Sequence, residues 1–391
     1  MDSFDQVVES FLKNKEQPLP RVTVGAVNRS GSFKYVKSFG DESGGPEGEA
    51  ADVNALYWIA SCSKLITTIA AFQCVEKGLL TLDDDISKVL PEWKDPKILT
   101  GHDENKQPIF KPAKATITLR LLLTHSSGIA YSFTHPLVAE YQQNKGVTAL
   151  LSPTIAESYP TFLVEEPGVE WRYSPGIDWA GQMVERVTKT KLNDYIAEHI
   201  FKHLNITDTT FHLPDSARRS TLWMRTEAGP LAPAPHIVPS PIPDAHGGAG
   251  LYASAPSLLA VYAAVLRQDP EILKAETWRM MFTEQLRTGG KGLDDLEKYG
   301  PEMRNNALGS LPDGVGRGFG FGGILVREDT PGRRAKGSMS WSGLPNCYWF
   351  IDQENGVAGV YLSQLLPTGD NKSVELFREF ENTVYKAVKG Q

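Results

Sequence analysis

A serine and a lysine three residues apart, Ser61 and Lys64, have the types and the spacing needed for nucleophilic catalysis. On a helix this spacing places both side chains on one face, with about 5–6 Å between their Cβ atoms. A serine hydroxyl becomes a good nucleophile only when a neighbouring base takes its proton. A lysine can be that base where burial and the positive end of the helix dipole favour its neutral amine. The pair therefore predicts an activated serine.

An apolar helix is expected to hold this pair. Apolar residues recur at three- and four-residue steps as far as Lys77 and Gly78, which are typical of a helix end. The residues that form the pattern are Leu65, Ile66, Ile69, Phe72 and Val75. Few charges interrupt it, so we expect the helix to be covered on most sides. A second pair with the same spacing, Ser10 and Lys13, lies on a charged N-terminal helix and is interpreted as solvated surface.

Tyr173 lies in a turn rich in proline and glycine, residues 166–176, ahead of a helix predicted over 177–188. A tyrosine in such a turn can present its hydroxyl at a cleft, where a lysine ammonium favours the phenolate form. From these residues alone, a packing tyrosine fits better. The preceding stretch, 129–170, is predicted to be irregular and contains several aromatic residues, Tyr131 among them. It is interpreted either as a pocket wall or lid, or as a surface excursion.

Other candidate motifs are better explained by structure than by function. His125 ends a helix predicted over 117–123, and without a G-x-S-x-G elbow it is interpreted as a hydrogen-bonded structural residue. His199 and His203 have a metal-binding spacing but no evident third ligand. The glycine-rich run at 318–323 matches the dinucleotide fingerprint, yet an apolar strand follows it where the fingerprint requires a helix. Bends between packed strands account for these glycines.

Composition is that of an ordinary globular protein, with 391 residues, 22% of them charged and 41% hydrophobic. The formal net charge of -7 and the lack of a concentrated basic run argue against a nucleic-acid partner. The three cysteines are too few for a disulfide framework, and their spacing is not that of metal ligands. The acidic start is unlike a signal peptide, and no stretch approaches the roughly 20 apolar residues of a membrane span. A cytoplasmic protein without a membrane partner is expected.

Alternating apolar patterns predict strands near both ends of the chain. The segments 21–27 and 33–39 flank a turn at 28–31, as in a hairpin. Further strands are predicted at 336–341, 347–352 and 356–362, before an amphipathic C-terminal helix. Both chain ends therefore contribute strands, and the middle of the chain is mostly helical.

Taken together, three motifs resemble the serine β-lactamase and penicillin-binding-protein superfamily. They are Ser61-Cys62-Ser63-Lys64, Tyr173-Ser174-Pro175 and Trp341-Ser342-Gly343, with 122–128 between the first two. The most similar branch is the class C-like group that holds family VIII esterases and fungal polyketide transesterases of the lovastatin type. The likeness extends over nearly the whole chain, and the order and spacing of the motifs are more specific than any one of them.

The resemblance implies an α+β fold of the β-lactamase/transpeptidase type, in which helices flank an antiparallel sheet. Residues 1–95 and 310–391 are expected to form the α/β domain, and 96–309 an inserted, mostly helical domain, with the active site at their junction. Ser61 would be the acylated nucleophile, Lys64 its general base and Tyr173 a proton shuttle. The backbone N–H groups of Ser61 and Leu344 would form the oxyanion hole. The resemblance implies no metal or organic cofactor.

Two departures from the family pattern bear on the substrate. Trp341 stands where β-lactamases have a lysine that helps to hold the β-lactam carboxylate, and Pro175 replaces an asparagine that would supply an amide. Both changes disfavour an anionic β-lactam or peptidoglycan peptide, and an aromatic beside the oxyanion hole suits an ester with an apolar body. The residues predicted to bind substrate are Trp341, Ser342, Gly343 and Tyr131.

The function that follows is serine acyl transfer through a Ser61 acyl-enzyme. The donor would be a small-molecule ester or thioester, whether or not an acyl carrier presents it, and the acceptor a hydroxyl group in secondary metabolism of polyketide type. The alternatives are an esterase of the family VIII type that uses water as acceptor, a β-lactamase, and an inactive binding module that uses the cleft as a receptor.

Overall fold

The central feature of the computed structural model is a seven-stranded, fully antiparallel sheet that both ends of the chain build. The structure describes residues 1–14, 16–40, 52–147, 149–286, 291–298, 311–312 and 314–390. The strand order is β2-β1-β13-β12-β11-β10-β9. These strands are β1 (Val22–Asn28), β2 (Lys34–Phe39), β9 (Arg317–Phe319), β10 (Ile324–Val326), β11 (Met339–Gly343), β12 (Cys347–Asp352) and β13 (Val357–Leu362).

The predicted hairpin and the predicted bend between strands are both confirmed. Residues 22–27 pair with 34–39 across the turn at 28–31. The glycine-rich run at 318–323 joins β9 to β10, which pair as adjacent antiparallel strands. No helix follows that run, so it is a bend between strands, as the sequence predicts.

Helices cover both faces of the sheet. On one face, α1 (Asp2–Leu12) packs against α11 (Asn371–Lys389). Glu381 of α11 is fully buried there and accepts hydrogen bonds from Arg334 at 2.7 Å and Arg333 at 2.6 Å. On the other face lie α2 (Ser63–Glu76) and α8 (Ala255–Arg267), and α8 packs directly on β1 and β13. Helix α2, which follows Ser61, therefore lies between the sheet and the middle of the chain.

In the described middle of the chain, more residues lie in helices than in strands, and a mostly helical domain there stays a prediction. Its helices are α3 (Leu119–Leu123), α4 (Pro136–Asn144), α5 (Ile155–Ser158), α6 (Gly176–Thr188), α7 (Leu192–Ile196), α9 (Ala275–Met281) and α10 (Lys291–Lys298). Short strands accompany them: β4 (Lys97–His102), β5 (Pro108–Pro112), β6 (Trp223–Arg225), β7 (Leu231–Pro233) and β8 (Tyr252–Ala253). The strands β3 (Tyr57–Trp58) and β14 (Leu365–Leu366) pair with β8 and β6, respectively.

One prediction for this middle part is wrong. The stretch 129–170 is not irregular throughout, because α4 and α5 lie within it. Pro136 occupies the first turn of α4, where its missing N–H costs nothing, and Thr154 with Glu157 forms a capping box around α5. The proposed domain boundary at 309/310 lies outside the described residues. In the described part of the chain, no helix is long and apolar enough to cross a membrane.

Candidate active site

Ser61 lies on a sharp turn between a strand and a helix. After β3 the chain makes one 3-10 turn, Ala60–Cys62, and α2 begins only at Ser63, two residues later than the sequence predicts. Ala60, at the start of this turn, has a φ of 44°, which is in the left-handed region and keeps the α-helix from extending back through it. Such a conformation is unfavourable for a residue other than glycine and persists where the surroundings impose it. The turn leaves Ser61 half-exposed while its neighbours are buried.

The three residues that the sequence predicts to be catalytic meet at the Ser61 hydroxyl. Tyr173 lies 112 residues along the chain, and its hydroxyl donates to Ser61 Oγ at 2.5 Å. Lys64 Nζ is 3.2 Å from the same oxygen. The Lys64 side chain is 1% exposed, and its Nζ lies 4.8 Å from the centre of the Tyr173 ring. A buried amine and a phenol thus both contact the serine oxygen, which is the arrangement that proton transfer from a nucleophile requires.

His125 holds Tyr173 in place. Its carbonyl accepts from Arg172 N–H at 2.8 Å, and its Nδ1 accepts from Ser174 N–H at 3.3 Å, so the residues on both sides of Tyr173 are fixed. Thr134 Oγ1 adds a hydrogen bond to the Tyr173 carbonyl at 3.2 Å. Burial, with a smaller effect of the Lys64 charge, lowers the pKa of His125 well below its usual value. The histidine is therefore neutral at physiological pH, and its hydrogen bonds agree with its interpretation as a structural residue.

The third motif lies on β11, beside the nucleophile. The Trp341 ring is 5.2 Å from that of Tyr173 and stacks on His125 at 6.3 Å, so this side chain forms one wall of the site. Gly343 lies against the residues before Ser61, since a Cβ there would be 2.2 Å from the Ile59 carbonyl oxygen. This contact brings the end of β11, and Leu344 after it, next to the serine turn.

The side chain of Ser342 is on the other face of the sheet from Trp341. Successive residues of a strand alternate between faces. Ser342 pairs with Tyr348, which belongs to the core beneath α11, whereas Trp341 pairs with Trp349 in the core around α2. A substrate-binding role for Ser342 stays a prediction, as do those of Trp341 and Gly343.

Aromatic rings continue the wall from Trp341 to the surface. Tyr131 is buried, with its ring 5.1 Å from that of Tyr173. Phe133 stacks on Tyr131 at 4.8 Å and is 60% exposed. An exposed ring next to a half-exposed nucleophile gives an apolar substrate a surface to contact. The wall formed by Trp341, Tyr173, Tyr131 and Phe133 is called the aromatic wall below.

Asp178 is a site residue that the sequence reading missed. It lies in the first turn of α6 and is completely buried. Its Oδ1 accepts from Gly248 N–H at 3.0 Å, and its Oδ2 is 3.5 Å from the Tyr131 hydroxyl. Burial raises the pKa of Asp178, although Lys64 and His246 oppose the shift. The one signal in the sequence was an aspartate in an otherwise apolar helix turn, which by itself indicates only a favourable interaction with the helix dipole.

The two histidines with metal-binding spacing have other partners. His203 Nε2 lies 3.5 Å from an Asp269 carboxylate oxygen, and His199 packs on Tyr195. Among the residues that the structure describes, no group of three or more His, Cys, Asp or Glu side chains could hold a metal ion.

Known proteins resemble this chain over almost its whole length. The Beta-lactamase family model matches residues 12–379. Monacolin J acid methylbutanoyltransferase of Aspergillus terreus is 33% identical over 95% of this chain and 92% of its own length. Lovastatin esterase of Penicillium rubens is 33% identical over 94% of this chain and 95% of its own length.

A solved structure extends the similarity to the fold. Unliganded simvastatin synthase from Aspergillus terreus has a TM-score of 0.86 and 30% identity, over 100% of this chain and 99% of the other. The α+β fold predicted from the motifs is thereby confirmed. With the family model matched along almost the whole chain, and relatives more than 30% identical over nearly their full length, the chain belongs to the beta-lactamase family.

Proposed function

We propose that this protein transfers an acyl group from an ester or thioester to Ser61 and then to a hydroxyl group of a second small molecule. The observation that carries the proposal is the convergence of the Lys64 amine and the Tyr173 hydroxyl on Ser61 Oγ, at 3.2 and 2.5 Å. The relatives are named as acyltransferases and as an esterase, which supports an enzyme of serine acyl transfer acting on small-molecule esters. The individual roles below are part of the proposal.

Acylation begins when the Lys64 amine takes the Ser61 proton and Oγ bonds to the carbonyl carbon of the donor. The carbonyl oxygen becomes an oxyanion, which the backbone N–H groups of Ser61 and Leu344 stabilise. One such N–H group typically contributes about 3–4 kcal/mol of transition-state stabilisation. When the carbon–oxygen or carbon–sulfur bond breaks, the leaving group takes a proton from the Lys64 ammonium, directly or through Tyr173.

Deacylation reverses these steps with a new nucleophile. The acceptor hydroxyl gives its proton to the pair of Tyr173 and Lys64, and its oxygen bonds to the acyl carbon. Ser61 leaves and regains its proton, so the enzyme returns to its starting state without a metal or organic cofactor.

The aromatic wall supports an apolar substrate of polyketide type. Trp341 provides bulk and no charge where a β-lactamase has a lysine, and Phe133 extends the apolar surface outward. Among the relatives, the name of one states a methylbutanoyl group and monacolin J acid. We propose the same substrate classes, a short acyl donor and a hydroxylated polyketide, for this chain.

Hydrolysis is the second candidate, since a relative of equal identity is named lovastatin esterase. The two activities share the acyl-enzyme and differ only in whether water or an alcohol attacks it. Ser61 is half-exposed, so both acceptors can approach.

The test is the intact mass of the protein over time after mixing with the butanoyl thioester of a small thiol, with no alcohol present. The proposal expects a butanoyl adduct that is absent from Ser61→Ala. An adduct that persists until a hydroxylated polyketide is added identifies a transferase, whereas one lost in buffer within a turnover identifies an esterase. Absence of the adduct, or an adduct on Ser61→Ala, would refute the role of Ser61.

A further inference from the structure

Lys64 has two hydrogen-bond acceptors besides Ser61. Its Nζ donates to the Gly248 carbonyl at 2.7 Å and to the Tyr131 hydroxyl oxygen at 3.3 Å. A neutral amine has two N–H bonds and one lone pair. When these two acceptors take the N–H bonds, the lone pair is left for the third neighbour, Ser61 Oγ at 3.2 Å. That is the orientation in which the amine can accept the serine proton.

One carboxylate contacts both of these acceptor residues. Asp178 Oδ1 accepts from Gly248 N–H at 3.0 Å, and Oδ2 accepts from the Tyr131 hydroxyl at 3.5 Å. Gly248 permits this approach because it has no side chain, since a Cβ there would lie 2.4 Å from Oδ2. Asp178 is 0% exposed, so water does not compete for these bonds.

The direction of the hydrogen bonds follows from the chemistry of the carboxylate. An ionised carboxylate only accepts, so the Tyr131 proton points to Asp178 and a Tyr131 lone pair is free for Lys64. Burial, with a further contribution from Asp178, raises the pKa of Tyr131 well above its usual value, so this proton is retained. His246 lies behind the carboxylate, with its Nδ1 3.8 Å from Oδ1 and its Nε2 donating to the Ser152 carbonyl at 2.9 Å.

We infer that Asp178 is a positioning residue for acylation: through Tyr131 and Gly248 it fixes the two N–H bonds of Lys64 and so directs the amine lone pair at Ser61. This inference rests on the proposed roles of Ser61 and Lys64. It also explains why residue 248 is a glycine, because a side chain there would collide with the Asp178 carboxylate.

Asp178→Asn tests the inference because it preserves shape and reverses one hydrogen bond. An asparagine has one acceptor oxygen, which Gly248 N–H retains, and its NH2 group then faces the Tyr131 oxygen. The Tyr131 hydroxyl then turns its proton away from residue 178, and the Lys64 lone pair is one acceptor within reach, at 3.3 Å. We expect the rate constant of butanoyl adduct formation to fall about 100-fold, the lower end of what general-base catalysis contributes. The donor concentration for half-maximal rate should stay within about twofold, because no substrate contact is lost.

Two further variants separate positioning from loss of stability. Glu185, on the same helix, is also buried and accepts from a backbone N–H, that of Leu192 at 2.9 Å, but it is about 10 Å farther along the helix axis. Glu185→Gln should lower the unfolding temperature and leave the acylation rate unchanged. Tyr131→Phe should slow acylation, and Asp178→Asn should add little in that background because both act through the same amine.

The outcomes are distinct. Slow acylation by Asp178→Asn, normal acylation by Glu185→Gln and a non-additive double variant support the inference. If the wild-type protein forms the Ser61 adduct and Asp178→Asn forms it at the wild-type rate, the inference is refuted and the function stands. If the wild-type protein forms no adduct, the proposed function fails and the inference with it. If Asp178→Asn does not fold, wild-type acylation by Tyr131→Phe refutes the inference instead.

Discussion

Replacing Gly343 by alanine tests whether the end of β11 completes the oxyanion hole. A Cβ at this position would lie 2.2 Å from the Ile59 carbonyl oxygen and 3.1 Å from the Ile59 carbonyl carbon. These are backbone atoms, so no rotamer change can remove the overlap. Carbon and oxygen atoms of this kind do not approach within 3.0 Å. The strand end and the residues before Ser61 must therefore move apart by about 1 Å, a displacement that can cost about 100-fold in rate.

The displacement acts directly on the proposed oxyanion donors. Leu344 follows Gly343, and Ser61 follows Ile59 by two residues, so moving the strand end apart from Ile59 separates the two N–H groups. Losing one donor typically lowers kcat by about 10²–10³-fold. We expect Gly343→Ala to lower the rate constant of acylation by about 100- to 1000-fold while Lys64 and Tyr173 remain intact.

The assay is stopped-flow acylation with a chromogenic ester, in which the burst amplitude counts the active sites. Gly359→Ala is the matched control: it is in β13 of the same sheet, and its Cβ would lie 2.5 Å from the Phe350 ring on the α11 face. This control should reduce the unfolding temperature and retain the rate per active site. A wild-type rate constant in Gly343→Ala would refute the placement of the oxyanion hole.

Three further predictions address the catalytic pair, the aromatic wall and the buried charges. Lys64→Ala and Tyr173→Phe should each lower kcat by about 10²–10⁴-fold with unchanged circular dichroism; near-normal turnover would remove that residue from the mechanism. Phe133→Ala should raise KM for apolar esters about 2- to 10-fold and leave thermal unfolding unchanged, because the ring is exposed; an unchanged KM would exclude it from the binding surface. Glu381→Gln should cost about 3–5 kcal/mol of unfolding free energy in urea at neutral pH. Burial alone would raise the pKa of Glu381, but its two arginine partners hold it below the usual value. Its stabilising effect is therefore present above about pH 4.3 and lost as pH falls through the folded pKa, so a loss equal at neutral and acidic pH would contradict this assignment.

Local chemistry made much of this molecule predictable. The turn at 28–31 fixes a hairpin because its residues match what such turns need, and period-two alternation then sets the register of the flanking strands. The meeting of Ser61, Lys64 and Tyr173 was predicted from the order of three motifs rather than from any single one. Spacing explains Lys64, because three residues on a helix bring two side chains together. Tyr173 is 112 residues away, and only the resemblance to a family placed it at the serine.

What could not be predicted depends on contacts distant in sequence or on weak local signals. Asp178 contacts Gly248 across 70 residues, and nothing in either segment specifies the other. Helix α4 was missed because its pattern is weakly amphipathic, although Pro136 marks its start. The 3-10 turn before α2 was also missed, because it begins at the left-handed Ala60, a conformation that alanine rarely adopts and that sequence patterns do not reveal.

The resemblance implies that Trp341 stands in place of a lysine, a change in the charge of the site as well as in its shape. A lysine ammonium at this position could bind a carboxylate beside the scissile bond, as a β-lactam carries. His125, on which Trp341 stacks, does not supply that charge, because burial and Lys64 keep its pKa well below the usual value. Asp178 is linked to the Lys64 amine by hydrogen bonds through Tyr131 and Gly248. A carboxylate next to the reacting carbonyl would thus lose its hydration and find no free cation in this group of side chains, whereas a neutral ester would lose little. We therefore expect the tryptophan of the aromatic wall to favour neutral acyl donors as well.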